Sequence, residues 1–172
     1  MSGRLIVDRA RADEAAIIAN LMQLYIHDFS ELWFDRATEG ELGPDGRYAD
    51  YPGLETYWCD PARQAWLFRL NDAPVGFALI NGIAHSPTPI DRAVAEFFVV
   101  RKHRRRGVGQ AAAHGLFGSA WGVWEAATAR RNATARAFWR RAAETYPGVR
   151  DIVEEDRRDA LWDGAVLTFR VG

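Results

Sequence analysis

The stretch AVAEFFVV-RKHRRR-GVG at residues 93–109 constrains the fold more than any other part of the chain. Its first eight residues are rich in Val and Phe and predict a buried strand over 93–100. Six basic residues follow, and Gly107 and Gly109 then lead into an alanine-rich segment that predicts a helix over 108–120. A helix N-terminus that follows a glycine-containing turn attracts anions, because its first N–H groups lack intrahelical partners. The stretch therefore predicts a phosphate cradle.

The basic run has a competing interpretation as a nucleic-acid patch or a targeting signal. The net charge of −1 and the pI near 6.4 argue against it, as does the lack of a helix-turn-helix or RNA-binding signature. Charge is nevertheless uneven: residues 1–100 carry 8 Lys and Arg against 15 Asp and Glu (−7), whereas residues 101–172 carry 14 against 8 (+6). This asymmetry predicts an anionic ligand for the second part and favours a cationic one for the first. We expect no nucleic-acid partner.

The periodicity of apolar residues predicts an α/β (α+β) sandwich built on a mainly antiparallel sheet of six to seven strands, with helices on both faces. Strands are expected at residues 5–9, 65–70, 75–80, 93–100, 123–129, 151–155 and 165–171. Helices are expected at residues 12–26, 108–120 and 132–146. Asn71 to Pro74 form the expected turn of one hairpin, and Asp163-Gly164 that of another. Residues 27–60, rich in aromatic residues, Gly and Pro, are expected to pack and to form part of a site.

The length of 172 residues predicts one domain over 1–172. Cys59 is the single cysteine, no run of about 18 apolar residues occurs, and the first residues lack a signal-peptide core. We therefore expect a cytoplasmic protein without a membrane span, as a monomer or homodimer. His85 and His114 lack paired-ligand spacing, so we expect no metal site.

Three motifs in order resemble the GNAT acetyltransferase superfamily. Residues 104–109, RRRGVG, are similar to its Q/R-x-x-G-x-G/A signature, and EFFVV at 96–100 lies where its fourth strand ends. Residues 132–139, NATARAFW, resemble its N-x-x-A-x-x-F-Y/W helix start. The similarity extends over most of the chain and is weakest at 27–60. It implies the GNAT fold and acetyl-CoA as the cofactor.

The resemblance also implies which residues bind acetyl-CoA. The pyrophosphate would lie on the backbone of the turn, and the pantetheine arm would pair with the end of the fourth strand, where it separates from the fifth. Asn132 and its helix would face the thioester end. The implied cofactor-binding residues are Phe98, Val99, Val100, Arg104, Arg105, Arg106, Gly107, Val108, Gly109, Gln110, Asn132, Ala135, Phe138 and Trp139.

Acetyl transfer to an amine needs a neutral amine, a polarised carbonyl and a proton for the leaving thiolate. A backbone N–H of Val99 or Val100 would polarise the carbonyl, and Glu96 is the candidate base or amine-binding group, as in the diamine acetyltransferases of the family. The alternative is that Glu96 is a half-exposed strand residue paired with an arginine. Trp139 replaces the tyrosine that protonates the thiolate in many relatives. The candidate replacements are Tyr25, Tyr48, Tyr51 or water.

His27, Asp28 and Tyr51 are the candidate acceptor-binding residues. The pair His27-Asp28 could relay protons, or it could simply cap a helix. A group of aromatic residues could surround an amine, or it could simply pack in the core. Its members are Tyr48, Tyr51, Tyr57 and Trp58. We expect an N-acetyltransferase of a primary amine of a small molecule, acting in a ternary complex. The alternatives are a protein or peptide amine as acceptor, and a non-catalytic acyl-CoA sensor.

Overall fold

The computed structural model of the protein describes residues 3–32 and 40–172, so residues 33–39 of the expected site-forming segment lie outside the described residues. Within them the strands are β1 Leu5–Arg9, β2 Gln64–Leu70, β3 Ala73–Asn81, β4 Arg92–Val99, β5 Gly122–Ala129, β6 Val149–Arg158 and β7 Asp163–Val171. The α-helices are α1 Ala15–Ser30, α2 Val108–Phe117 and α3 Ala133–Thr145. Short 3₁₀ helices occupy Ala12–Glu14, Leu54–Trp58 and Arg101–His103. No helix among the described residues is long and apolar enough to cross a membrane.

The strands form one sheet in the order β1-β2-β3-β4-β5-β7-β6. Every neighbouring pair is antiparallel except β4 and β5, which run parallel. The apolar face of α1 packs on one side of the sheet, and α2 and α3 pack on the other. This arrangement confirms the predicted α+β class with helices on both faces.

Alternation along the strands explains the two apolar layers, because successive side chains point to opposite faces. In β2, Leu67 contributes to the layer beneath α1 and Phe68 to the layer beneath α2 and α3. The largest fully buried side chains divide in the same way between the two layers. On the face of the sheet that α1 covers they include Ile18 and Met22 of α1 itself and Phe77 and Leu79 of β3. On the opposite face they include Phe117, Trp124 and Phe169.

Two glycines permit close packing that the site depends on. In β3, a Cβ on Gly76 would collide with the carbonyl oxygen of Phe98 in β4 and would lie 2.9 Å from Phe68. In α2, a Cβ on Gly115 would lie 3.1 Å from the Cβ of Val7 in β1. The helix that follows the basic turn therefore rests directly on the far edge strand of the sheet.

Both hairpin turns differ from the expectation. The β2–β3 turn has two residues rather than four, because Asn71 and Asp72 adopt φ values of 50° and 66°, as a tight two-residue hairpin requires. The β6–β7 turn lies before Asp163, which already belongs to β7. There the Asp159 carboxylate accepts hydrogen bonds from the N–H groups of Leu161 (2.8 Å) and Trp162 (3.2 Å). The chain therefore turns a few residues before the predicted position at Asp163-Gly164.

Candidate active site

The two parallel strands at the centre of the sheet separate after three residue pairs. Arg92, Ala93 and Val94 of β4 pair with residues 124–126 of β5, and the pairing stops there. Ala95 is unpaired in a β-bulge opposite β3, since Leu79 pairs with Glu96 and Ile80 with Val94. Beyond this point the β5-facing edge of β4 is open.

The open edge presents the backbone of Val99. The N–H of Val100 donates to the carbonyl of Val75 at 2.9 Å, so Val100 hydrogen-bonds towards β3. Because backbone groups alternate in an antiparallel pair, Phe98 also bonds towards β3, and Val99 points to the open side. Of the two N–H groups expected to polarise a carbonyl, that of Val100 is used in the sheet, whereas that of Val99 points to the open edge and is available to a ligand.

The turn after β4 brings unpaired N–H groups beside this edge. Gly107 has a φ of 80°, a left-handed conformation that favours glycine, and it begins α2. The first bond of the helix is donated by Ala111 to the Gly107 carbonyl at 3.0 Å. The N–H groups of Val108, Gly109 and Gln110 therefore have no intrahelical acceptor, and they point out of the N-terminus. We call these groups and the turn 104–107 the anion cradle.

Arg104 braces the cradle from within. Its Nε donates to the Val99 carbonyl at 2.6 Å, its guanidinium pairs with Asp28 at the end of α1, and it lies 5.3 Å from the ring centroid of Phe98. Arg101 also pairs with Asp28, at 2.8 Å. The guanidinium at the signature position is thus used to hold the turn against β4 and α1.

Arg105 and Arg106 are exposed, and unlike Arg104 neither forms an ion pair within residues 3–32 and 40–172. Their side chains can therefore turn towards an anion. The Gln110 side chain instead donates to the Thr145 hydroxyl of α3 at 2.8 Å, which leaves its backbone N–H to the cradle.

Arg104→Gln is expected to destabilise the ligand-free protein by about 1 kcal/mol, because it removes a charge-assisted hydrogen bond to Val99 and half of the contacts of Asp28. Arg106→Gln is the matched control and should stay within about 0.5 kcal/mol, since surface substitutions rarely do more. Urea denaturation without ligand measures both. Equal stability of the two variants would mean that Arg104 does not brace the turn.

The residues expected on α3 have different placements. Asn132 caps the helix, and its side-chain oxygen accepts from the N–H of Ala135 at 3.0 Å. Phe138 packs 5.4 Å from the ring of Phe97 and lies beside Gly109, next to the cradle. Trp139 is only 6 % exposed and packs in the core between the sheet and the helices α2 and α3.

Glu96 lies on the face of β4 that α1 covers, within a group of tyrosines. The Tyr25 hydroxyl donates a hydrogen bond to its carboxylate, and Tyr51 donates another. Burial raises the pKa of Glu96, an effect that these hydrogen bonds and the charge of His85 only partly oppose. Burial and the neighbouring carboxylate raise the pKa of Tyr25 and of Tyr51 as well, so both phenols stay neutral. The pairing of Glu96 with an arginine, the alternative from the sequence, does not occur among the described residues.

His27 and Asp28, the remaining acceptor candidates, contact different partners. His27 contacts the hydroxyl of Tyr48 through Nδ1 at 2.9 Å, whereas Asp28 pairs with Arg101 and Arg104. Tyr48 is tied to α1 by two further hydrogen bonds with Gln23. Both members of the His27-Asp28 pair therefore hold neighbouring segments in place.

A cavity of about 610 Å³ opens beside α1 and reaches Tyr51. Alanines of α1 form one wall, and Leu54 and Trp58 form the other. Tyr51 lines this cavity and also donates the hydrogen bond to Glu96. The aromatic residues expected to form a wall thus lie on the side of Glu96, and Tyr57 extends the group through a 3.4 Å contact with Asn81.

The sequence reasoning missed a second buried carboxylate. Glu125 of β5 is fully buried and accepts hydrogen bonds from the backbone and ring of His85 (2.7 and 3.1 Å) and from the backbone and hydroxyl of Ser86 (3.2 and 2.7 Å). These bonds hold the pKa of Glu125 below its ordinary value, although burial alone would raise it. The available signal was an acidic residue inside the apolar run 123–129.

Within the described part of the chain, no group of three or more His, Cys, Asp or Glu residues could hold a metal ion. Cys59 is an exposed free thiol.

Comparison with known proteins places this geometry in a family. The model of the acetyltransferase (GNAT) family matches residues 19–143. A search of curated proteins finds no significant match. Three solved structures that resemble the chain are a PaiA N-acetyltransferase from Thermoplasma acidophilum in complex with coenzyme A, the ribosomal-protein-S18-alanine N-acetyltransferase from Escherichia coli, and a spermidine N-acetyltransferase chimera of Vibrio cholerae SpeG and hSSAT.

The three structures share the fold at low sequence identity. The PaiA structure is 8 % identical with a TM-score of 0.56, and the alignment covers 96 % of this chain and 98 % of that one. The ribosomal-protein enzyme is 10 % identical with a TM-score of 0.55, covering 98 % and 93 %. The chimera is 11 % identical with a TM-score of 0.51, covering 97 % and 94 %. With the family match over residues 19–143, the chain belongs to the GNAT family of acetyltransferases and is an acyltransferase enzyme.

Proposed function

We propose that the protein transfers an acetyl group from acetyl-CoA directly to a primary amine of a small molecule, with both substrates bound at once. The observation that carries this proposal is the position of β4. Its open edge at Val99 adjoins the anion cradle, and its α1-covered face carries Glu96. Donor and acceptor sites would therefore meet at one strand.

The donor side fits a CoA thioester in chemistry and shape. The cradle offers backbone N–H groups and the exposed Arg105 and Arg106 to the pyrophosphate. The unpaired edge of β4 offers backbone hydrogen bonds to the pantetheine amides, and Phe138 flanks the cradle. Bound acetyl-CoA would supply the acetyl thioester, whose carbonyl oxygen the Val99 N–H would polarise as negative charge develops.

Glu96 would bind the acceptor amine and take its proton. A carboxylate with a raised pKa is better matched to proton transfer near neutral pH than an ordinary one. Tyr25 and Tyr51 fix its orientation by hydrogen bonds, and their rings also offer aromatic surface to a cation. The neutral amine would then attack the carbonyl carbon, and the C–S bond would break.

The leaving thiolate needs a proton that Trp139 cannot give, since an indole N–H is not acidic near neutral pH and the ring is buried in the core. Two of the three candidate tyrosines, Tyr25 and Tyr51, lie at Glu96, whereas Tyr48 contacts His27. Tyr51 is half-buried and also lines the cavity beside α1, so it is the more accessible phenol. Burial and the carboxylate of Glu96 raise the pKa of Tyr51 and disfavour its phenolate, so we propose water from the cavity beside α1 as the proton donor.

A protein or peptide amine is the rival acceptor. Two of the similar structures are enzymes named for one acceptor of each class. One is named for the alanine of ribosomal protein S18, a protein amine, and the other for spermidine, a small molecule. A cavity of about 610 Å³ bounded by Tyr51 suits a small molecule and therefore favours the first class. The acidic balance of residues 1–100 favours an acceptor with positive charge.

Acetyl-CoA and CoA are expected to stabilise the protein, whereas NAD should not. Ligand at 100 times its Kd adds about 2.7 kcal/mol to the free energy of unfolding, because it binds only the folded chain. Thermal denaturation with each compound measures this, and NAD controls for a non-specific effect of pyrophosphate. If neither CoA species raises the melting temperature above the NAD control, the assignment of the cradle and the β4 edge as a CoA-binding site is wrong.

The acceptor class is then decided by turnover. Free thiol is measured after mixing acetyl-CoA with spermidine, 1,4-diaminobutane, single amino acids or an alanine-initiated peptide. We expect acetylation of a small amine. Turnover of the peptide alone would move the proposal to protein amines.

A further inference from the structure

We infer that His85 takes the acceptor's proton from Glu96 and passes it to solvent, and that Glu125 positions His85 for this step. The inference rests on the proposed function, because it concerns the proton that the amine must lose. It is carried by the placement of His85, Glu125 and Glu96 on one face of the sheet.

The register of the sheet puts the two carboxylates on that face. Trp124 and Ala126 of β5 belong to the core beneath α2 and α3, so Glu125 between them projects to the opposite face. Glu96 projects to this face too, where it meets Tyr25 of α1. Glu125 pairs in register with Ala93, on the strand that carries Glu96 three residues later.

Glu125 fixes the tautomer of His85. An ionised carboxylate only accepts hydrogen bonds, and Glu125 lies 3.1 Å from Nδ1 of the ring, so Nδ1 carries a proton. Nε2 is then the free basic nitrogen. The negative charge of Glu125 stabilises the imidazolium that forms when Nε2 takes a proton.

Glu96 needs such an outlet. The groups that hydrogen-bond to it, Tyr25 and Tyr51, are neutral donors with raised pKa values, and they cannot accept a proton from it. His85 is close enough for its charge to lower the pKa of Glu96. Its side chain is 27 % exposed, so it also reaches water.

The ring of His85 packs against Trp162 of the β6–β7 turn at 4.5 Å, and its ion pair among the described residues is with Glu125 of β5. The proton balance is as follows: an N–H bond of the ammonium breaks and Glu96 gains the proton, a bridging water then carries it to Nε2 of His85, and Nε2 releases it to solvent.

The test compares His85→Ala with Ser86→Ala. Ser86 donates to the same carboxylate, so its replacement loosens the same loop without removing the base. With the best amine of the turnover panel, we expect His85→Ala to lower kcat by about 10- to 100-fold and added imidazole to restore part of it, since one proton carrier is lost. Ser86→Ala should stay within about twofold, and imidazole should not affect it.

A second measurement does not need activity. The Nδ1-protonated tautomer of His85, read from the NMR signals of its ring nitrogens and identified by the signals missing in His85→Ala, should lose its preference in Glu125→Leu, because this variant removes the acceptor of the Nδ1 proton. An unchanged tautomer in Glu125→Leu, full kcat in His85→Ala, or a loss that imidazole does not restore would each overturn the inference. Absence of acetyl-CoA binding or of any turnover by the wild type would instead overturn the proposed function.

Discussion

Glu96→Gln is expected to lower kcat with any accepted amine by about 10²- to 10⁴-fold, the usual contribution of a positioned base. Glutamine keeps the shape of the side chain and can still accept the Tyr25 hydrogen bond, but it cannot take a proton. Steady-state kinetics over a pH series measures the effect. The acid limb of the wild-type profile should lie above the ordinary carboxyl pKa of 4.5, because burial raises the pKa of Glu96, and the variant should lack this limb.

Glu55→Gln is the matched control. Glu55 is an exposed carboxylate that lines the proposed acceptor cavity beside α1, so its replacement should raise KM and leave kcat unchanged. Glu96→Gln with unchanged kcat and an unchanged acid limb would reject Glu96 as the base. Equal losses in both variants would indicate a general effect of negative charge around the cavity.

The same substitution should make the protein more stable at neutral pH. Because the pKa of Glu96 is raised in the folded state, the stability that it contributes is fully present below pH 4.5 and is lost as pH rises through the raised value. Glutamine does not titrate, so the free energy of unfolding of the variant should rise relative to that of the wild type between pH 4.5 and the raised pKa. Above the raised pKa this difference should stay constant. Urea denaturation at about pH 4 and at neutral pH compares the two proteins, and a pH-independent difference would contradict the assignment.

Gly76→Ala is expected to lower the free energy of unfolding by about 1–3 kcal/mol, or by more if the strands cannot shift. The added Cβ would collide with the Phe98 carbonyl oxygen and would lie 2.9 Å from the Phe68 ring, both of which are held in the core. β3 and β4 would have to separate at the residues that place Val99. We therefore also expect weaker binding of CoA.

Gly82→Ala controls for the loss of a glycine as such. A Cβ there would meet no atom within 4 Å, so its stability should change by no more than about 0.5 kcal/mol. Urea denaturation of both variants, followed by titration with CoA, separates the effects. A Gly76→Ala protein as stable as the control would show that the two strands can move apart freely.

Local patterns were sufficient to predict most strands and helices and the turn that leads into α2. The apolar run 93–100, the glycines at 107 and 109, and Asn132 as a helix cap each act within a few residues, so their neighbours in sequence reveal them. Contacts between distant residues were not predictable in this way. Asp28 pairs with an arginine 76 residues later, and Glu125 accepts hydrogen bonds from His85 across 40 residues.

A sequence motif does not determine what its side chains contact. Arg104 matches a signature for anion binding, but its guanidinium is engaged by Asp28 and the Val99 carbonyl. Trp139 matches the end of a helix motif, but it lies in the core. A motif fixes the backbone path in both cases, while the surrounding packing decides what the side chain contacts.

The close packing of Gly115 against Val7 supports the proposed donor site from a distance. α2 carries the cradle at its first turn and rests on the edge strand β1 two turns later. A bulkier side chain at either position would tilt the helix axis, and the N–H groups of its first turn would move with it. Natural variation at the rim of the sheet could therefore tune the affinity for the donor without altering any residue that touches it.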